Sequence, residues 1–83
     1  MKFTAVTPYG KVFEGDVKEL YFRTKVGSVG LLDFHCPYFA SVDKGFLRVR
    51  LSDGTEKMLS IPLGGVVYTE KNICVLLSEK ISV

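Results

Sequence analysis

The chain has 83 residues and a net charge of +2, with 47% hydrophobic and 24% charged residues. That length holds one domain, read as residues 1–83, and the composition excludes an intrinsically disordered chain. No apolar run approaches the roughly 18 residues of a membrane-spanning helix, no secretory or transit signal opens the sequence, and 11 basic against 9 acidic residues argue for neither nucleic acid nor an anionic membrane surface as partner.

Residue choice points to strands. Ala5 and Ala40 are the only two alanines, whereas Val, Thr, Ile, Phe and Tyr together make 29 of 83 residues, a composition suited to pleated, half-buried surfaces rather than helices. In chain order, Thr7-Pro8-Tyr9-Gly10 has Pro and Gly where a type I turn prefers them, and Glu14-Gly15-Asp16 reads as a second turn. Leu20 and Phe22 then alternate with Glu19, Tyr21 and Arg23. Further turns are expected at Lys25-Val26-Gly27-Ser28, from Asp33 to Pro37, and at Asp43-Lys44-Gly45, the last as a hairpin tip. Leu47, Val49 and Leu51 share one face opposite Phe46, Arg48 and Arg50. Across a turn at Asp53-Gly54, Lys57, Leu59 and Ile61 oppose Glu56, Met58 and Ser60, a hairpin with one buried side. Turns at Pro62 to Gly65 and Glu70-Lys71-Asn72 bound the last strands. Turn signals at such short intervals predict an all-β chain, a two-layer β-sandwich of about 8–10 short strands.

Catalytic chemistry finds little support. His35, the single histidine, adjoins Cys36, and neighbours on an extended chain point in opposite directions, so they make no nucleophile pair. Two cysteines and one histidine fall short of the usual zinc site. Both thiols are expected reduced, with Cys74 a small core residue inside Ile73-Cys74-Val75-Leu76-Leu77. Gly64-Gly65 precedes no Lys-Ser/Thr pair and no helix, so it reads as a backbone bend rather than a phosphate loop. Two other classes have some footing in the residues. Lys44-Gly45-Phe46 opens like an RNA-binding strand of a small β-barrel, but Phe46 alone supplies the aromatic platform. Lys44 at a hairpin tip has the placement of a lipoyl or biotinyl carrier lysine, without the acidic neighbours. No catalytic, nucleotide-binding or metal-binding residue is assigned, and no cofactor.

The loops taken in order resemble a known family. Thr7-Pro8-Tyr9-Gly10-Lys11-Val12-Phe13-Glu14-Gly15-Asp16-Val17 resembles the T-P-x-G-x-x-F/Y-x-G-x-V opening of the epsilon subunit of F-type ATP synthases (delta in mitochondria). Gly27-Ser28-Val29-Gly30-Leu31-Leu32-Asp33-Phe34-His35-Cys36-Pro37 is similar to its G-x-x-G-v-L-p-g-H-a-P block, with Asp33-Phe34 in place of Pro-Gly. Lys44-Gly45-Phe46-Leu47-Arg48-Val49 resembles p-G-x-l-r-v. Gly64-Gly65-Val66-Val67-Tyr68 and Asn72-Ile73-Cys74-Val75-Leu76 resemble G-G-f-l-e-v and n-x-V-t-v-L. The loop before Gly30, often acidic in the family, is here Lys25-Val26-Gly27-Ser28.

The resemblance implies the amino-terminal β-sandwich of that subunit, a non-catalytic part of the rotor. Its partners would be the gamma subunit and the membrane c-ring, placing the chain peripherally on the cytoplasmic face of a bacterial inner membrane. Ring and gamma contacts are expected at Lys25, Gly27, Ser28, Gly30 and His35, in a segment from Lys25 to Cys36 read as loops around one short strand. Gamma contacts are expected at Tyr38, Phe46 and Tyr68. The family's two-helix carboxy-terminal hairpin, with its nucleotide motif, has no counterpart among these residues, so they are not expected to bind ATP.

Overall fold

The computed structural model of the chain describes residues 1–32 and 37–83. The turn expected at residues 33–36, with His35 and Cys36, lies outside the described residues. Eight strands follow one another: β1 (Lys2–Thr7), β2 (Gly10–Thr24), β3 (Gly27–Leu32), β4 (Tyr38–Val42), β5 (Gly45–Leu51), β6 (Glu56–Ile61), β7 (Gly65–Glu70) and β8 (Ile73–Leu77).

β2 is shared by two layers. Its first half pairs with β1, in a first sheet that continues through β8 and β7 to β4. Its second half lies between β3 and β5, in a second sheet that ends at β6. Fully extended, 15 residues would reach about 50 Å, yet the longest dimension of the molecule is 27 Å. The strand therefore curls, and the pairing shifts between Val17 and Glu19 mark where the ladder slips. The turn expected at Glu14-Gly15-Asp16 does not form; those residues stay in β2, paired with β1.

The inner faces carry the predicted alternation. Phe3, Ala5, Val67, Cys74 and Leu76 of the first sheet and Leu20, Leu31, Leu47, Val49 and Leu59 of the second are fully buried. They form one continuous core, each large aliphatic side chain contributing roughly 1.5–3 kcal/mol by leaving water. Lys57, on the core side of β6, instead places its ammonium 5.7 Å from the Phe13 ring centre at the open rim. The last residues cross back to the second sheet, where Ser60 and Ser82 exchange main-chain hydrogen bonds of 2.7 and 2.9 Å, with Ile81 buried beneath.

Turn chemistry fixes the connections. Lys71 and Asn72 have φ of +51° and +61°, the type I′ geometry that suits a two-residue hairpin between twisted strands. Asp43-Lys44-Gly45 is no hairpin tip, because β4 pairs with β7 while β5 pairs with β2 and β6. It is a crossing between layers, held where the Asp43 amide donates to the Arg23 carbonyl at 2.7 Å. Gly64 bends the chain before β7 and Gly65 opens that strand, paired with Val42, and neither has room for a side chain. A Cβ on Gly64, at φ +71°, would sit 2.7 Å from the Val42 carbonyl oxygen, and one on Gly65 would sit 2.5 Å from that of Leu77.

Replacing Gly64 by Ala is expected to cost about 2–3 kcal/mol, from collision and strained backbone together. Gly54→Ala, facing open space at a hairpin tip, should cost about 1 kcal/mol. Urea unfolding of the two variants measures the contrast. Burial pushes the Cys74 thiol up to about 12, from an ordinary value of 9.0. The folded chain then holds that proton where the unfolded chain has released it, so stability falls as pH rises from 9 towards 12. In a Cys36→Ser background, Cys74 should resist thiol reagents at a pH of about 8 until the protein is unfolded.

Candidate interaction surfaces

With the inward positions filled, function falls to the two outer faces and the loops. The β2–β3 turn is built by Thr24, whose hydroxyl donates to the Gly27 carbonyl at 3.0 Å and accepts from the Val26 amide at 3.2 Å. Gly27 completes it at φ +136°, a region that side chains disfavour. Thr7 makes the same two contacts around Tyr9 and Gly10. At the β2–β3 tip, Lys25 and Ser28 are exposed and Val26 is 96% exposed. Lys25, Gly27 and Ser28 thus come together as expected. Of the loops expected around one short strand, the first is this turn, the strand is β3, paired with β2 along six consecutive residues, and the second lies outside the described residues. Gly30 has an ordinary backbone, and what matters there is the space it leaves. A Cβ at that position would approach the Tyr21 ring to 3.2 Å. Its missing side chain is the seat on which that ring lies.

The outer face of the second sheet presents Tyr21, Arg23, Ser28, Phe46, Arg48 and Met58 around a shallow groove. Tyr21 stands opposite Gly30 on one side and Arg48 on the other, and the Arg48 guanidinium lies 4.5 Å from its ring centre. Phe46 is 63% exposed. Further along, Arg50 bridges Glu19 and Glu56 at 3.2 Å each, which raises its own pKa, the Glu56 hydrogen bond first. The hydrogen bond from Tyr21 to Glu19 holds the phenol proton, raising the Tyr21 pKa. At the far end of β5, Asp53 accepts from the Thr55 amide and hydroxyl, and these bonds lower its carboxyl below the ordinary range.

The outer face of the first sheet is apolar. Register aligns Phe39, Tyr68 and Val75 in one row and Val66, Leu77 and Val6 in the next. Phe39 and Tyr68 meet edge to face, with ring centres 6.4 Å apart. Phe39, Tyr68, Ile73 and Leu77 are all exposed large side chains, a contiguous apolar surface of the kind that marks an interaction site. Tyr68 donates to Glu70, which raises the Tyr68 pKa.

The three expected gamma contacts do not share a surface. Tyr68 lies on the first sheet's outer face and Phe46 on the second's. Tyr38 turns inward, half-buried against the core and 6.4 Å from Phe22 by ring centres, because position 38 falls on the core side of β4's alternation. Phe39, Val66, Ile73 and Leu77 escape the sequence reading. For Val66, Ile73 and Leu77 the signal is present in the apolar runs Val66-Val67-Tyr68 and Ile73 to Leu77, which mark a sheet covered on both sides; Phe39, on β4, has no such run.

Comparison with known proteins decides the family. The family described as ATP synthase, Delta/Epsilon chain, beta-sandwich domain matches residues 1–82. The chain belongs to that family. This Delta/Epsilon-type sandwich is 35% identical over 80 residues to the ATP synthase epsilon chain of Ruminococcus albus, covering 96% of this chain and 59% of that one. The epsilon chain of Sulfurovum is 34% identical over 77 residues, covering 92% and 60%. The sequence thus spans about three-fifths of the length of these relatives. Two mitochondrial ATP synthase structures contain the same fold. The match in the Euglena gracilis OSCP/F1/c-ring assembly has a TM-score of 0.88 at 18% identity, over 96% of this chain and 51% of that one. The match in the Tetrahymena thermophila central stalk and c-ring has a TM-score of 0.81 at 19% identity, over 99% and 65%.

Gly30→Ala should push the Tyr21 ring from its seat and loosen its contact with Arg48. The expected cost is about 1 kcal/mol, with loss of the ring-current shift on the Arg48 side chain by NMR.

Proposed function

We propose that this domain is a non-catalytic central-stalk component of a proton-translocating F-type ATP synthase, joining the gamma subunit to the c-ring and passing rotation between them. The observation that carries this reading is the open apolar face of the first sheet, on a domain of the Delta/Epsilon family. A row of aromatic and branched side chains left in water serves no purpose within the domain. Covered by a partner, it becomes the core of an interface. Gamma is assigned to this face, with Phe39 and Tyr68 as anchors. The ring is assigned to the β2–β3 tip, through Lys25 and Ser28, with Gly27 shaping the turn and Gly30 seating Tyr21. Phe46, beside Arg23 and Ser28 in the same groove, is assigned to the tip, and no place is assigned to His35, which lies outside the described residues. Tyr38 supports β4 from within.

A sandwich suits this role because a core packed at crystal-like density deforms little under torque. Transmission needs no nucleophile and no cofactor, only stiffness and two docking surfaces. The domain is placed peripherally, on the cytoplasmic face of a bacterial inner membrane, reaching the bilayer through the complex.

Phe39→Ala and Tyr68→Ala are each expected to weaken gamma binding by about 1–3 kcal/mol with little loss of fold stability, as read by calorimetry and thermal unfolding. In the assembled enzyme, Ser28→Cys should crosslink to the ring subunit. Asp53→Cys, at the other end of β5, should not. The reverse pattern would dock the domain the other way up.

A further inference from the structure

The second sheet's outer face has a charge pattern that the domain itself does not use. Arg50 is paired with Glu19 and Glu56, so one end of the face is internally neutralised. The other end gathers Arg23, Lys25, Lys44 and Arg48, all exposed, and among the described residues none of these four has a carboxylate within ion-pair distance. Asp43 stands nearby, its amide on the Arg23 carbonyl, and leaves the cluster in positive excess. Like charges gathered without partners work against folding, and their gain comes when an opposite surface meets them.

Arg48 is the best-prepared member. Its guanidinium lies over the Tyr21 ring at 4.5 Å, and among the described residues no carboxylate engages its N–H groups. That planar fork is what binds a carboxylate through two parallel hydrogen bonds. Phe46 and Met58 border the same groove and would exclude water around such a pair. Stacked bases are a poorer fit, because Tyr21 leans over Gly30 and is covered by Arg48, leaving Phe46 as the one open ring in the groove among the described residues.

We infer that Arg23, Lys25, Lys44 and Arg48 dock on a carboxylate-bearing segment of the ring subunit. The inference rests on the proposed stalk role and adds the chemistry of the partner. The recognition loop is basic in this chain, so the matching ring loop is acidic.

The test is made in the assembled enzyme, with a photocrosslinking residue replacing Phe46. The expected product joins position 46 to a ring-subunit peptide containing at least two Asp or Glu residues. Arg23→Glu with Arg48→Glu should lower the yield at least about tenfold, and changing those ring carboxylates to Lys should restore it. Both arginines are exposed, so an unchanged melting temperature separates lost docking from lost fold. Arg48→Lys keeps the charge but not the fork, and should fall between wild type and the double reversal. A ring peptide without acidic residues, a crosslink to gamma, nucleic acid or lipid, or a yield indifferent to charge reversal overturns the inference. If Ser28→Cys still reaches the ring in that case, the stalk reading survives. If Ser28→Cys reaches neither ring nor gamma, the stalk reading fails and this inference fails with it.

Discussion

One strand belonging to two sheets sets everything else in this domain. Because β2 pairs with β1 over its first half and lies between β3 and β5 over its second, the two layers are joined by backbone hydrogen bonds as well as by the core. Its midpoint is fastened by Met1, whose amino group donates to the Val17 carbonyl while its carbonyl accepts from the Val17 amide. Slippage there would move every side chain of the second half by one position and exchange inner and outer faces. Leu20 and Phe22 would reach water, and Tyr21 and Arg23 would enter the core. The outer faces are therefore held in register by the same pairing that closes the core.

The two outer faces differ in kind because the sheets differ in what lies beyond them. The second sheet alternates cleanly, with Leu47 and Val49 inside and Phe46, Arg48 and Arg50 outside, as a sheet with one wet side does. In the first sheet β8 is apolar on both sides, and its outward residues join Phe39, Val66 and Tyr68 in a surface that water covers poorly. A body with one such face and one cationic tip can engage two partners at once without changing shape.

Alternation makes the second sheet legible from sequence, because Leu20 and Leu47 each stand between charged or aromatic neighbours that face outward, and Leu59 between Met58 and Ser60. The turns built on Pro or Gly at fixed offsets are legible for the same local reason. β2's continuity is not: Gly15 beside Glu14 and Asp16 has the composition of a turn, and only long-range pairing with β1 keeps that stretch extended. The crossing at Lys44 reads as a hairpin because strand order is absent from local pattern. On the surfaces, Lys25, Gly27 and Ser28 can be placed by turn chemistry. Tyr38 cannot, since one position of phase in a five-residue strand decides between core and solvent. The groove around Arg48 joins residues from several strands, and no segment of sequence contains it.

The parallel pairing of β1 with β8 has a consequence in time. Lys2 meets Ile73 and Val6 meets Leu77, so the central ladder of the first sheet joins residues far apart in the order of synthesis. Hairpins such as β5–β6 can zip up locally, but β1 waits for its second neighbour until residues 73–77 have left the ribosome. Loop closure over that separation is slow and costly in entropy. The second sheet is thus the part able to form early, and the apolar first sheet is assembled last. Its hydrophobic outer face, to which Ile73, Val75 and Leu77 contribute, is completed only once residues 73–77 are made.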